Sequence, residues 1–151
     1  TTRMMVRAML GVDLGGRSVS NKETGTGVLA ILAEKMGAAP IRAIDIDQGA
    51  VDNALENVVR NGCHAITVEK GVATALRGHT YEAILANIER NILLDAMRLM
   101  YDALASGGVL FLSGFVVADR QVMAAGARKA GFDLVEELNE GEWALLGCRK
   151  P

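Results

Sequence analysis

The chain has 151 residues, half of them hydrophobic and few aromatic, with seventeen glycines and a formal net charge of −2. That length suits one domain with an aliphatic core and tight turns, and the charge gives no bulk electrostatic reason to bind nucleic acid. No apolar run is long enough to span a bilayer and no signal-peptide pattern is visible, so the expectation is a cytoplasmic chain that binds neither nucleic acid nor membrane. Cys63 and Cys148 are far apart and read as reduced thiols. His64 beside Cys63 has no second pair to complete a metal site, and no metal is expected.

Thr1 to Leu10 reads as an amphipathic helix with Met4, Met5, Ala8 and Met9 on its packed side. Its abrupt start, with no preceding element, reads as that of a fragment. Gly15-Gly16 breaks the chain, and Arg17 to Val19 forms a short β-like run. Ser20 to Gly27, S-N-K-E-T-G-T-G, is expected as the turn into a helix over Val28 to Met36, which Gly37 ends. Strand two spans Ile41 to Ile46, and Asp47 caps a helix from Gln48 to Asn61 whose apolar positions recur at helical spacing. Ala65 to Val68 and Tyr81 to Ala86 are strands three and four, and Asn87 to Leu104 is mostly helical. Ser106-Gly107-Gly108 is a turn before an apolar fifth strand, Val109 to Leu112. A helix over Ala118 to Ala130 ends at Gly131. Phe132 to Leu138 and Trp143 to Cys148 close the chain as two strands joined by N-E-G-E.

Alternating strands and helices predict a doubly wound, mostly parallel α/β sheet with helices on both faces. The terminal hairpin departs from the ordinary dinucleotide fold and matches the class I methyltransferase sheet, in which the last strand inserts antiparallel. In such sheets ligands bind outside the carboxyl ends of the strands. That rule nominates the Gly25/Gly27 turn, Asp45 and Asp47 after strand two, Gly71-Val72 after strand three, and Asn87 after strand four. A carboxylate at Asp45 can accept both hydroxyls of a ribose, with Ile46 packing on an adenine face; the plain alternative is that Asp45 and Asp47 only cap the next helix. Asn87 offers a donor and an acceptor, suited to holding a substrate amine, or it is simply the cap of the next helix. A lone G-x-G admits nicotinamide, flavin, nucleotide or S-adenosylmethionine.

Taken together in register, Thr1-Thr2, the glycine turn, A-I-D-I-D, E-N-V-V-R-N-G, I-L-A-N-I, S-G-G-V-L-F-L-S-G-F and G-E-W-A-L-L resemble the ribosomal protein L11 methyltransferases (PrmA) over nearly the whole chain. The resemblance implies a class I fold with a seven-stranded sheet, and S-adenosylmethionine as cofactor. It implies methyl transfer to amino groups of a protein, ribosomal in that family. Residues 1–151 correspond to the catalytic domain, without the family's N-terminal substrate-recognition domain. By position, Gly25 and Gly27 lie under the cofactor's methionine and ribose, Asp45 holds the ribose hydroxyls and Ile46 packs on the adenine. Asn87 faces the methyl group and the incoming amine as the catalytic residue, and Thr2 touches the cofactor.

The chain departs from the family pattern V-L-D-x-G-C-G-T-G, reading V-S-N-K-E-T-G-T-G at Val19 to Gly27. Ser20 replaces an apolar residue, and Asn21 replaces the acid that holds the cofactor's ammonium. Glu23 replaces the first glycine, where close backbone approach is needed. After strand three, Val72 stands where the family often has the aspartate that takes the adenine's exocyclic amine. The rival reading is therefore a catalytically inactive domain of the same fold with impaired cofactor binding. A nicotinamide-dependent oxidoreductase fits less well, because an intact G-x-G-x-x-G is absent and the terminal hairpin argues against it.

Overall fold

A computed structural model describes residues 1–151. Seven strands form one sheet: β1 Val19–Lys22, β2 Ile41–Asp45, β3 Ile66–Lys70, β4 Tyr81–Asn87, β5 Leu104–Val116, β6 Asp133–Glu140 and β7 Trp143–Arg149. Their order across the sheet is β3-β2-β1-β4-β5-β7-β6. Strands β1 to β5 pair in parallel, and β7 inserts antiparallel between β5 and β6. This is the mostly parallel sheet with an antiparallel C-terminal hairpin that the sequence predicts. The strand order reverses between β1-β2-β3 on one side and β4-β5 on the other, which puts a crevice at the carboxyl end of β1.

Five helices cover the sheet: α1 Thr2–Leu10, α2 Val28–Lys35, α3 Gln48–Arg60, α4 Arg90–Ala103 and α5 Arg120–Ala130. One core packs Met4, Met5 and Met9 of α1 and Leu29 and Ala33 of α2 onto Val19, Ala43, Leu85 and Phe111 of the sheet. The expected methionine stripe is thus core packing. The opposite core sets Leu93, Met97 and Met100 of α4 and Met123 and Ala127 of α5 against Ile84, Ala86, Leu110 and Leu112. The alternation of these residues between the two faces along β4 and β5 is the period of two that a pleated strand imposes.

Three elements differ from their sequence expectation. Strand β1 continues through Ser20, Asn21 and Lys22, all buried, instead of stopping at Val19. Polar side chains hide this strand from a hydrophobic pattern, but its backbone pairs with β2 on one side and β4 on the other, and the ladder needs no side chain. Strand β5 starts at Leu104 and runs to Val116, with the Ser106-Gly107-Gly108 turn carried as an irregularity between the pairs Tyr81/Leu104 and Ala83/Val109. Asn87 is the last residue of β4 and does not cap the helix. Glu89 is the cap of α4, its carboxylate accepting from the Asn91 and Ile92 amides.

Candidate functional site

The turn from β1 into α2 is built on backbone conformations that glycine favours. Gly25 and Gly27 lie at φ +56° and +85°. A Cβ at Gly27 would press on Ala54 of α3, whereas at Gly25 it would meet only open space. Glu23 shares the left-handed conformation at φ +57°, the one non-glycine residue in the chain to do so. A bulky side chain held there costs energy that glycine does not.

Asp45 ties this turn to β2. Its carboxylate is buried, one oxygen accepting from the Gly25 amide at 3.0 Å and the other from the Asp47 amide at 3.0 Å. Asp47, not Asp45, caps α3, accepting from the Ala50 amide at 2.9 Å. Each Asp45 oxygen keeps a further lone pair, so accepting hydroxyls remains within its capacity. Asn21 is wholly buried behind the turn. Its Oδ1 accepts from the Thr24 hydroxyl at 2.8 Å and its Nδ2 donates to the Leu85 carbonyl at 3.4 Å.

Beside the turn lies a cavity of about 310 Å³, lined by Lys22, Glu23, Ile46, Val72, Ile92 and Ala96 among others. Ile46 and Val72 expose large apolar faces, 55% and 47% accessible, at the ends of β2 and β3. Lys22 is only 3% exposed as a residue, and its ammonium, which faces the cavity, makes no hydrogen bond or ion pair with the protein. Burial pushes its pKa down, against the opposing pull of Glu23 and Asp45. Burial, followed by the Asp45 charge, pushes the Glu23 carboxyl up, with Lys22 partly offsetting the shift. A second cavity of about 340 Å³ opens past the ends of β4 and β5, with Glu89, Arg90, Gly114, Phe115 and Trp143 in its wall. In strand order Asn87 stands between the two, half-buried and paired with Ser113 of β5.

The model of the family described as "Ribosomal protein L11 methyltransferase (PrmA)" matches residues 1–151. The chain belongs to the PrmA family. It is 39% identical over 147 residues to a ribosomal protein L11 methyltransferase of Bacteroides fragilis, covering 97% of this chain and 52% of that protein. It is 41% identical over 147 residues to the one of Porphyromonas gingivalis, covering 97% and 51%. This chain thus spans about half the length of these curated relatives. Among solved structures, the ribosomal protein L11 methylase of Lactobacillus delbrueckii subsp. bulgaricus superposes with a TM-score of 0.94 at 28% identity, covering 100% of this chain and 79% of that one. A structure described as a putative S-adenosylmethionine dependent methyltransferase from Listeria monocytogenes shares the fold, with a TM-score of 0.83 at 14% identity and full coverage of both chains.

Within this PrmA-family fold the structure gathers Gly25, Gly27, Asp45, Ile46 and Val72 around the first cavity's end of the sheet, with Asn87 at the end of β4, the strand next to β1. Thr2 lies exposed on α1, away from that cavity's lining. Sequence reasoning passed over Ile92 and Ala96, whose i, i+4 spacing places one face of α4 on the cavity. It also passed over Gly114, at φ +96°, which lies against the Ile88 backbone so closely that a Cβ would sit 2.4 Å from the Ile88 carbonyl oxygen. The S-G-F run carried a signal there, because a glycine inside an apolar strand marks close backbone approach.

The donor set fits an adenosine-bearing group in part. An apolar shelf, an acceptor carboxylate and an open glycine are present, while Asn21, where the resemblance leads one to expect an acid, is neutral and buried.

Proposed function

We propose that residues 1–151 form the catalytic domain of an S-adenosylmethionine-dependent methyltransferase. It modifies amino groups of a protein in the cytoplasm, and a ribosomal protein as in its relatives. The single observation that carries this reading is the joining of Asp45 to Gly25 beside an apolar shelf at the topological switch point. The family membership supports the same reading. Asp45 and the Gly25-Gly27 turn hold the ribose side of the cofactor, and Ile46 and Val72 pack on its base. Asn21 acts from behind, by fixing Thr24.

S-adenosylmethionine, when bound, supplies an electrophilic methyl carbon. The protein's part is orientation and a dry, rigid setting. Asn87 holds the incoming amine with its amide oxygen while its position is locked from β5. The Ile88 amide donates to the Ser113 carbonyl at 3.0 Å, and the Ser113 hydroxyl donates to the Ala144 carbonyl at 2.9 Å. A lysine amine must shed its proton before it attacks, because its reference pKa is about 10.4. The Glu89 carboxylate is committed to capping α4, so water takes the proton. The second cavity gives the substrate side chain a way in.

Glu23, which reaches the first cavity with its carboxyl, favours the second reading, a domain of this fold with impaired cofactor binding. Calorimetric titration with S-adenosylhomocysteine separates the two. Micromolar binding supports the methyltransferase reading. No binding by the folded chain, regained on Ser20→Leu, Asn21→Asp, Glu23→Gly and Val72→Asp together, supports the second. With binding in hand, Asn87→Ala is expected to lower methyl transfer to ribosomal protein L11 about a hundredfold while leaving that affinity within threefold.

A further inference from the structure

Lys22 is 3% exposed as a residue, lines the cavity beside the glycine turn, and its amine has no hydrogen-bond or ion-pair partner in the protein. Neither of the nearby carboxylates supplies one. The Asp45 oxygens are engaged by the Gly25 and Asp47 amides, and Glu23 forms no ion pair or hydrogen bond with it. An amine that faces the cavity with no acceptor from the protein is free to donate to whatever fills it.

The surroundings narrow what that occupant is. Ile46, Val72, Ala73, Ile92 and Ala96 present apolar walls, which suit a flat ring. Glu23 and Asp95 on the rim and Asp45 behind it disfavour a phosphate or carboxylate. The occupant is therefore a neutral ring that carries acceptor atoms. At Val72 the chain offers no carboxylate for a ring's exocyclic amine. The recognition has been moved from a donor on the base to an acceptor on it.

Resting on the cofactor reading above, we infer that Lys22 is a specificity-determining contact of the cofactor site, its Nζ donating to a ring nitrogen of the purine. The amine replaces the base contact that Val72 cannot make. Lys22 therefore sets which bases the cavity accepts, although it takes no part in methyl transfer.

The test is titration of the parent chain and of Lys22→Met with S-adenosylhomocysteine and with its 1-deaza, 3-deaza and 7-deaza analogues, each lacking one ring acceptor. Methionine preserves the side chain's length and removes the donor. The expected result is about tenfold weaker binding of S-adenosylhomocysteine by Lys22→Met. One deaza analogue should bind the parent about tenfold more weakly than S-adenosylhomocysteine does, with no such difference in Lys22→Met. Equal or tighter binding by Lys22→Met overturns the inference, showing that the side chain only occupies the space. So does binding of all three analogues to the parent within twofold of S-adenosylhomocysteine, a comparison that needs no variant. If the folded parent binds none of these ligands, the cofactor reading itself fails and takes this contact with it.

Discussion

The Asp45 carboxylate and the Gly25 amide, twenty positions apart, are joined by a 3.0 Å hydrogen bond that fixes the turn after β1 to the end of β2. The same carboxylate accepts from the Asp47 amide, so it organises the turn and the entry to α3 together. Asp45→Ala leaves two amides without their acceptor. Hydrogen bonds to a charged group contribute about 1.5–3 kcal/mol each, so a loss of about 3 kcal/mol in unfolding free energy is expected. Asp45→Asn keeps one oxygen acceptor and should lose about half as much. Urea unfolding of both measures this. A loss in Asp45→Ala below about 0.5 kcal/mol would mean the turn holds without the bond.

Ser20 is wholly buried on β1, and its hydroxyl is the only buried side-chain polar atom without a hydrogen-bond partner. It pairs across to Arg42 and Ile84, deep inside the sheet. Ser20→Ala removes the orphaned hydroxyl and leaves the backbone ladder untouched. It should stabilise the chain by about 1 kcal/mol, a rise of about 2–4 °C in melting temperature. A lower melting temperature would show that the hydroxyl is satisfied in solution.

Glu23 combines two separable penalties: a left-handed backbone and a carboxyl whose pKa is raised by burial and by Asp45. A carboxyl that holds its proton more tightly when folded costs nothing below its unfolded pKa, near 4.5. The cost appears as pH rises through the folded value. Glu23→Gln removes only the charge, and its advantage over the parent should grow from pH 4 to pH 7. Glu23→Gly also removes the backbone penalty, adding about 1 kcal/mol that does not change with pH. Equal melting temperatures for the two variants at pH 4 would remove the backbone part of this account.

Lys22 acts at the other end of the pH scale. Burial lowers its pKa from 10.5, so the unfolded chain binds the proton more tightly than the folded one between the two values. Stability from this group is present above 10.5 and is lost as pH falls through the depressed folded value. Lys22→Met should therefore melt above the parent at pH 7, with the gap narrowing as pH approaches 10.5. A gap constant across that range would place the Lys22 amine in water.

Most of the sheet was readable because its strands carry the apolar runs of a doubly covered sheet, as in Ala83 to Ala86 and Val109 to Leu112. Strand β1 was not, since Ser20, Asn21 and Lys22 carry no such signal. Their burial is decided by the strands on both sides. The turn glycines and Asp45 were legible as a spacing, twenty residues from glycine to acid. What the spacing could not tell was that Asn21 faces into the protein to hold Thr24, or that α4 lends Ile92 and Ala96 to the cavity. Those facts depend on where helices land after packing, which no local pattern records.

Gly114 tests how tightly the end of β4 is fixed. It lies at φ +96°, and a Cβ there would stand 2.4 Å from the Ile88 oxygen and 2.8 Å from its nitrogen. Both are backbone atoms, so no side chain can swing aside. Gly114→Ala combines a disfavoured conformation with a steric clash, and a loss on the order of 3 kcal/mol is expected, lowering the melting temperature by about 6–12 °C. Gly62→Ala is the control, because Gly62 has a similar φ of +65° with nothing within 4 Å of a built Cβ. It should lose only about 1 kcal/mol. Since Ile88 follows Asn87 directly, the clash in Gly114→Ala is relieved by moving the segment that presents the Asn87 amide. In the folded fraction, methyl transfer should fall at least tenfold while S-adenosylhomocysteine affinity stays within threefold. If transfer and affinity fall together, the displacement has spread to the glycine turn, and Asn87 is not held independently of the cofactor site.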